Sequence, residues 1–153
     1  MGIQDVKKFF QEKGLASEIL EFETSTATVE LAAQAVGVEP GMIAKTMSFK
    51  LKNNETILVL TAGDKRVDNK KFKATFHSKA KMLDLDEVIE ITGHPVGGVC
   101  PFGLKNDIPV YLDISLKKYE YVYPAAGSPN SAVKLTPAEL YSITQGKWVD
   151  VCK

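Results

Sequence analysis

An alternating segment followed by a turn constrains the fold of this chain more than any other sequence feature. Met47, Phe49 and Leu51 alternate with polar residues, Asn53-Asn54 follows them, and residues 56–62 form a largely apolar run. An apolar residue at every second position is typical of a strand that is buried on one face, and Asn-Asn favours a tight turn. The pattern predicts a β-hairpin, which excludes a doubly wound sheet of purely parallel strands.

Helical segments are predicted on both sides of the hairpin from their capping residues. One helix is expected to begin at a capping Thr26 or Thr28 and to end at Gly37. Pro40 is expected to start a short helical turn that runs towards Lys45. Further helices are expected from Val6 to Gly14, Asp68 to Phe76, Asp84 to Gly93 and Thr136 to Gly146, and further strands at residues 19–23, 109–113, 121–125, 131–135 and 148–152.

Strands and helices intermingle along the whole chain. This order predicts a mixed α/β fold, with a curved, partly barrel-like mixed sheet and helices packed around it. The 153 residues include 44% hydrophobic and 25% charged residues, as in ordinary globular domains. Because neither a linker nor an internal repeat interrupts the sequence, a single domain over residues 1–153 is expected.

Composition also limits the classes of function. The 19 basic and 19 acidic residues cancel, which is unlike a tail-type binder of polyanions, and no DNA partner is expected. The two cysteines (Cys100 and Cys152) and two histidines (His77 and His94) lack the spacing of a zinc site, so neither a metal nor a cofactor is expected. The absence of a signal-like or membrane-spanning stretch predicts a cytoplasmic protein without a membrane partner.

The glycine-rich loop of residues 93–103 is the first candidate site. Its four glycines and two prolines exclude a regular helix or a central strand. Because Gly97 and Gly98 have no Cβ, backbone N–H groups there could approach a ligand closely and stabilise an oxyanion or a phosphate. A glycine-rich connection that only turns a corner explains the same composition.

Lysines form the other candidates. Lys45 comes just before the alternating strand, where it would be held near the sheet edge, although most lysines are solvated surface residues. Residues 65–81 contain seven lysines and arginines but only one acidic residue, Asp68. Such a segment could receive a phosphate backbone, and a solvated helix face is the alternative interpretation.

A covalent mechanism is disfavoured by the sequence. His94 and Cys100 could form a base and nucleophile, but the loop offers neither an acidic partner nor a helix N-terminus for the thiol. A cysteine between Val99 and Pro101 is more typical of a small packed hydrophobic residue.

Three segments together carry a family resemblance. Residues 38–49 read VEPGMIAKTMSF, residues 93–103 read GHPVGGVCPFG and residues 126–131 read AGSPNS. In this order and at these separations they resemble the YbaK-like family, which includes the editing domain inserted in bacterial prolyl-tRNA synthetase. The resemblance implies the same mixed α/β fold and a free-standing aminoacyl-tRNA deacylase. Its expected substrate is mischarged tRNA, such as tRNA for proline carrying Cys or Ala. Its expected oligomeric state is a monomer or weak dimer, and an aminoacyl-tRNA synthetase is a possible binding partner.

The resemblance also implies roles for single residues. Lys45 corresponds to the family's lysine and would hold the terminal phosphate or a carbonyl of the aminoacyl-adenosine. The amides of Gly97 and Gly98, in the GxxxP loop, would bind the reacting carbonyl or the attacking water. The implied substrate-binding residues are Thr26, Met47, His94, Val99, Pro101, Phe102, Gly127, Ser128 and Asn130, and weaker tRNA contacts are expected at Lys70, Lys71 and Lys73.

Two other functions remain open at this point. The same fold could bind a tRNA end or a nucleotide without catalysing a reaction. Alternatively, the glycine-rich loop could bind another protein. In that case the structure should show an exposed apolar patch, and not a concave pocket, at Lys45.

Overall fold

Seven strands and five α-helices make up the part of the chain that the structure, a computed structural model, describes: residues 2–15 and 19–153. Within these residues no helix combines the length and the apolar character needed to cross a membrane. The strands are β1 (Ile19–Glu21), β2 (Ile43–Lys50), β3 (Thr56–Ala62), β4 (Val110–Asp113), β5 (Tyr123–Pro124), β6 (Ser131–Val133) and β7 (Lys147–Val149). The helices are α1 (Ile3–Glu12), α2 (Val29–Val36), α3 (Asn69–Phe76), α4 (Leu85–Thr92) and α5 (Pro137–Thr144).

The main sheet is mixed, as predicted. Its strand order is β5-β2-β3-β4-β7, in which β2 and β3 are antiparallel and the other neighbours are parallel. β1 and β6 form a small antiparallel sheet. Antiparallel bridges from Val122 to Leu135 and from Ala125 to Ala132 join this small sheet to the β5 edge of the main sheet. The expected mixed α/β class is therefore confirmed.

The predicted hairpin is β2 and β3. Its register runs from Ala44 opposite Ala62 to Lys50 opposite Thr56, and Asn54 takes a left-handed conformation in the turn. On its other edge β2 pairs with β5 at Ile43 and Ala44. Further along the same edge, the Ser48 carbonyl of β2 accepts a hydrogen bond from the Leu83 N–H. A gap beside Thr46 is left between these two contacts.

Helices cover both faces of the hairpin. Leu58 and Leu60 of β3 pack in a core that contains Phe10 of α1, whereas Ile57 and Val59 pack with Phe72 of α3. Both sets of side chains are almost completely buried. A strand that is apolar on both faces is typical of a sheet enclosed by helices.

Several predicted boundaries shift in the structure. The turn that starts at Pro40 is a 3₁₀ helix that ends at Met42, so Lys45 is the third residue of β2 and does not precede that strand. Thr28, not Thr26, caps α2, because the Thr28 hydroxyl accepts the Leu31 N–H. A second 3₁₀ helix, Ile114–Lys118, was not predicted. Of the expected strands at 121–125, 131–135 and 148–152, residues 123–124, 131–133 and 148–149 lie in strands, and isolated bridges occur at Val122, Ala125, Leu135 and Cys152.

Candidate functional site

A cavity of about 250 Å³ opens at the gap beside Thr46. Its walls come from β2, the start of α2, α4 and the segment before it, the glycine-rich loop, and the ends of β5 and β6. Four residues selected from the sequence lie on these walls: Thr26, Lys45, Gly97 and Val99. The structure thus brings parts of all three family-like segments, including Ser131, to one concave site.

The walls of the cavity are mostly apolar and carry a few hydroxyl groups. Thr26, Thr46, Ser48 and Ser131 all face it. The Thr46 hydroxyl oxygen is buried and has no hydrogen-bond partner within the described chain. Because a buried hydroxyl without a partner is unfavourable, this group is available to a ligand at little further desolvation cost.

Lys45 is held by a neighbouring turn. Its ammonium group donates a hydrogen bond to the Lys65 carbonyl oxygen at 2.6 Å, in the turn that follows β3. Alternation along β2 directs the side chains of Ala44, Thr46 and Ser48 to one face and that of Lys45 to the other. An ammonium group has three donors, so the carbonyl leaves two of them for other partners.

The two central glycines lie where other segments approach closely. Gly97 has a φ of +88°, and an added Cβ would lie 3.0 Å from the Cβ of Ala27. A Cβ on Gly98 would lie 2.5 Å from the backbone nitrogen of Ser128. The Gly98 N–H donates to the Pro95 carbonyl at 2.9 Å, and the Gly98 carbonyl accepts the Gly127 N–H at 3.0 Å. Gly97 therefore lines the cavity, and Gly98 fixes the loop behind it.

The loop of residues 126–131 supports the site from outside. Ser128 Oγ donates to Asn130 Oδ1 at 2.8 Å and lies 2.7 Å from Ser131 Oγ. The Asn130 side-chain amide donates to the Phe22 carbonyl at 2.9 Å. Gly127, Ser128 and Asn130 thus stabilise the loop and leave Ser131 as its member on the cavity wall.

His94 and Cys100 lie in the core, away from the cavity. His94 Nε2 is 2.7 Å from the Phe102 carbonyl oxygen, which can only accept, so this nitrogen carries the proton. Burial lowers the pKa of His94, and burial raises the pKa of the Cys100 thiol to about 12. A neutral imidazole beside a protonated thiol does not provide the pair needed for nucleophilic catalysis.

Three other predicted substrate-binding residues also lie elsewhere. Phe102 is fully buried against Phe10, and Pro101 lines a separate groove beside α1. Met47 packs in the cluster around Phe72 on the opposite face of β2. The cavity uses the other face of β2, with Ala44, Thr46 and Ser48, which were not among the predicted site residues. The sequence does contain a signal for this face, since these small residues alternate with larger ones along β2.

The lysines proposed for tRNA binding lie on and around α3, on the face of the hairpin opposite the cavity. Lys71 donates to Asp150 at 3.0 Å and to the Cys152 carbonyl at 2.9 Å, and the hydrogen bond to Asp150 raises its pKa. Lys70 and Lys73 are exposed. Lys71 is therefore tied to the C-terminal segment, and the other two face solvent.

Comparison with known proteins gives consistent matches. Residues 23–143 match the aminoacyl-tRNA editing domain family. The uncharacterized protein YwhH of Bacillus subtilis is 50% identical over 100% of this chain and 98% of its own length. A protein of Enterococcus faecalis, named provisionally as a Cys-tRNA(Pro)/Cys-tRNA(Cys) deacylase, is 29% identical over 81% of this chain and 76% of its own. A crystal structure, described provisionally as that of a trans-editing enzyme for prolyl-tRNA synthetase, superimposes with a TM-score of 0.90 and 32% identity, covering 99% of this chain and 96% of the other.

Proposed function

Because the chain belongs to the aminoacyl-tRNA editing domain family, we propose that it hydrolyses the ester bond of mischarged tRNA. The observation that carries the proposal is the cavity lined by Gly97, by the β2 segment that contains Lys45, and by Thr46 with its unpartnered hydroxyl. The name of the Enterococcus faecalis relative and the description of the superimposed structure support the same reaction.

The size of the cavity favours a small acyl group. At about 250 Å³ it lies below the roughly 300–1,000 Å³ of pockets that enclose drug-sized ligands. It can therefore take an aminoacyl group, with the attached ribose at its mouth. Apolar walls discriminate mainly by excluding larger side chains, so wrong small amino acids enter and larger ones do not.

The chemistry needs no nucleophile from the protein. Water attacks the carbonyl carbon, the bond to the ribose oxygen breaks, and the products are a free amino acid and a tRNA with a free terminal hydroxyl. No Asp, Glu or His side chain lines the cavity within the described chain, so positioning and charge stabilisation are its main contributions. An aminoacyl ester is already activated, which makes these two effects sufficient.

Each wall of the cavity has a part in this step. The backbone of Gly97 would support the reacting carbonyl or the attacking water, and the unpartnered Thr46 hydroxyl would donate to the substrate. To bind a phosphate or a carbonyl of the aminoacyl-adenosine, the Lys45 ammonium would exchange the Lys65 carbonyl for the substrate and turn to the cavity side of β2. The substrate that we propose is tRNA for proline carrying Cys or Ala.

The test is a panel of tRNAs charged with Cys, Ala or Pro, incubated with the wild type and with Lys45→Ala. We expect the wild type to hydrolyse at least one wrong ester faster than the prolyl ester, and the variant to lose most of this activity. Lys65→Ala is the matched control, because it removes a nearby charge but keeps the carbonyl that binds Lys45. Equal rates for wild type and Lys45→Ala would remove Lys45 from the mechanism.

Binding without turnover is the alternative function. The hydrogen bonds that already engage Lys45 and the Gly98 amide are also compatible with a module that only holds a tRNA end. If the wild type binds the charged tRNAs but hydrolyses none of them, this alternative replaces the deacylase proposal.

A further inference from the structure

A groove lined by lysines lies at the far end of β2, and we call it the lysine groove. It contains Lys50, Lys52, Lys73, Lys79 and Lys81 together with His77, and it encloses about 500 Å³. No Asp or Glu is among the described residues that line it. All of these lysines except the half-buried Lys50 are exposed. In a chain whose total charge is zero, such a cluster creates a local positive field.

Backbone contacts hold the three segments of the lysine groove together. The Lys52 N–H donates to Ser78 Oγ at 2.9 Å, and the Lys50 N–H donates to the Lys81 carbonyl at 2.8 Å. Lys73 and His77 come from the last turn of α3 and its C-cap. The charges are thus carried by segments whose relative positions are already fixed.

Most of the positive charge in the lysine groove is unneutralised. Of its five lysines, only Lys50 forms an ion pair within the described residues, with Glu87 of α4. The hydrogen bond from Lys50 lowers the pKa of Glu87, which keeps that carboxylate ionised. Lys52, Lys73, Lys79 and Lys81 remain available for an external anion.

One end of the lysine groove, at Lys50 and Lys81, adjoins the cavity, and its other end, at Lys73 and His77, lies on the α3 face of the hairpin. Ser48 lines the cavity, and Lys50 follows it on the same face of β2, about 7 Å further along the strand. On the facing segment, Leu83 and Met82 line the cavity, and the next residue towards the groove is Lys81. A polymer whose end occupies the cavity would therefore place its next units against the lysines.

We propose that the lysine groove binds the phosphate backbone of the tRNA acceptor end while the aminoacyl group occupies the cavity. This inference rests on the proposed function, and it gives the substrate a direction of entry along β2. It shares only Lys73 with the three lysines expected from the sequence, because Lys71 is engaged by Asp150 and Lys70 lies outside the groove. Contacts of this kind position the RNA and leave the chemical step to the cavity.

The test compares two triple variants in their binding of uncharged tRNA for proline, measured from low to moderate salt. In Lys52→Gln/Lys73→Gln/Lys79→Gln we expect weaker binding and a slope of log affinity against log salt that is smaller by about 2–3, since each lost phosphate contact removes about 0.7–0.9. Lys8→Gln/Lys13→Gln/Lys105→Gln is the matched control. It removes the same charge from the groove beside α1, where Asp5, Glu12 and Asp107 are also present.

Two further measurements separate the possible outcomes. Lys52→Arg/Lys73→Arg/Lys79→Arg should keep the wild-type slope, because it keeps all three charges. The Gln variant of the same lysines should keep the wild-type hydrolysis rate at saturating tRNA. Equal slopes for the two Gln variants, or a wild type that does not bind tRNA, would overturn the lysine groove as the RNA site. If the slopes of the two Gln variants differ as expected but no mischarged tRNA is hydrolysed, the lysine groove is kept as the RNA-binding site and the deacylase proposal is rejected.

Discussion

Substituting Gly98 by Ala should separate the two loops that form one side of the site. The new Cβ would lie 2.5 Å from Ser128 N, whereas ordinary contact begins at 3.4 Å, so the shortfall is about 0.9 Å. The atoms that it meets are backbone atoms, which cannot rotate away as a flexible side chain can. The loop that carries Gly97 must therefore move relative to Ser128, by nearly the full shortfall.

Gly98→Ala is expected to lower both the stability and the activity, and to lose activity while the protein is still folded. Overpacking of this kind costs about 1–3 kcal/mol of unfolding free energy, or a fall in Tm of roughly 2–12 °C in a domain of this size. A displacement of about 1 Å in a catalytic site can lower the rate about 100-fold. We therefore expect Gly98→Ala to remain folded and to lose about two orders of magnitude in the single-turnover rate of ester hydrolysis.

Gly14→Ala is the control for this experiment. Gly14 has a φ of +67° with no atom within 4 Å of an added Cβ, so Ala introduces backbone strain without a clash. Its stability should fall by about 1–2 kcal/mol, while its hydrolysis rate stays at the wild-type level. A folded Gly98→Ala protein that hydrolyses mischarged tRNA as fast as Gly14→Ala would refute the positioning role of the Gly98 contact.

Three other substitutions test the site and its surroundings. Thr46→Val should leave Tm unchanged or raise it, because the lost hydroxyl has no partner in the described chain. It should lower kcat/KM about tenfold, because the contact between this hydroxyl and the substrate is lost. An unchanged kcat/KM would exclude that contact. Cys100→Ala should hydrolyse mischarged tRNA at a rate within several-fold of the wild type, because burial raises the pKa of the thiol to about 12 and keeps it protonated. Detection of an acyl group on Cys100 by mass spectrometry would contradict this. His94 has a folded pKa below its usual 6.5, so the unfolded chain binds more protons and stability should fall as the pH drops below about 6.5. His94→Gln should lose that part of the pH dependence in urea titrations, and an unchanged dependence would assign it to other groups.

Local chemistry explains which elements were predictable. The N-terminus of α5 follows from Thr136 and Glu139, which cap each other through the Thr136 hydroxyl and the Glu139 carboxylate. The hairpin follows from alternation and a turn within a dozen residues. Both depend only on neighbours in sequence, so the sequence alone was sufficient.

The position of the cavity depends on contacts between distant residues, which the sequence does not display. The family resemblance implied Met47 as a pocket residue, but in the structure Met47 packs in the cluster around Phe72 of α3, on the other face of β2. The resemblance also implied His94 as a substrate-binding residue, but its ring is fully buried against the Phe102 carbonyl. The catalytic roles of Lys45 and Gly97 stay predictions, although both residues line the same cavity.

The central position of β3 has a consequence for measuring the stability of this protein. β3 is hydrogen-bonded to β2 on one edge and to β4 on the other, and Leu58, Val59 and Leu60 are fully buried. Amide hydrogens in such a strand exchange with solvent only when the whole domain opens. Their exchange rates therefore report the global free energy of unfolding, whereas amides of the glycine-rich loop report local opening. One hydrogen-exchange experiment can thus separate a variant that loosens the site from one that weakens the entire fold.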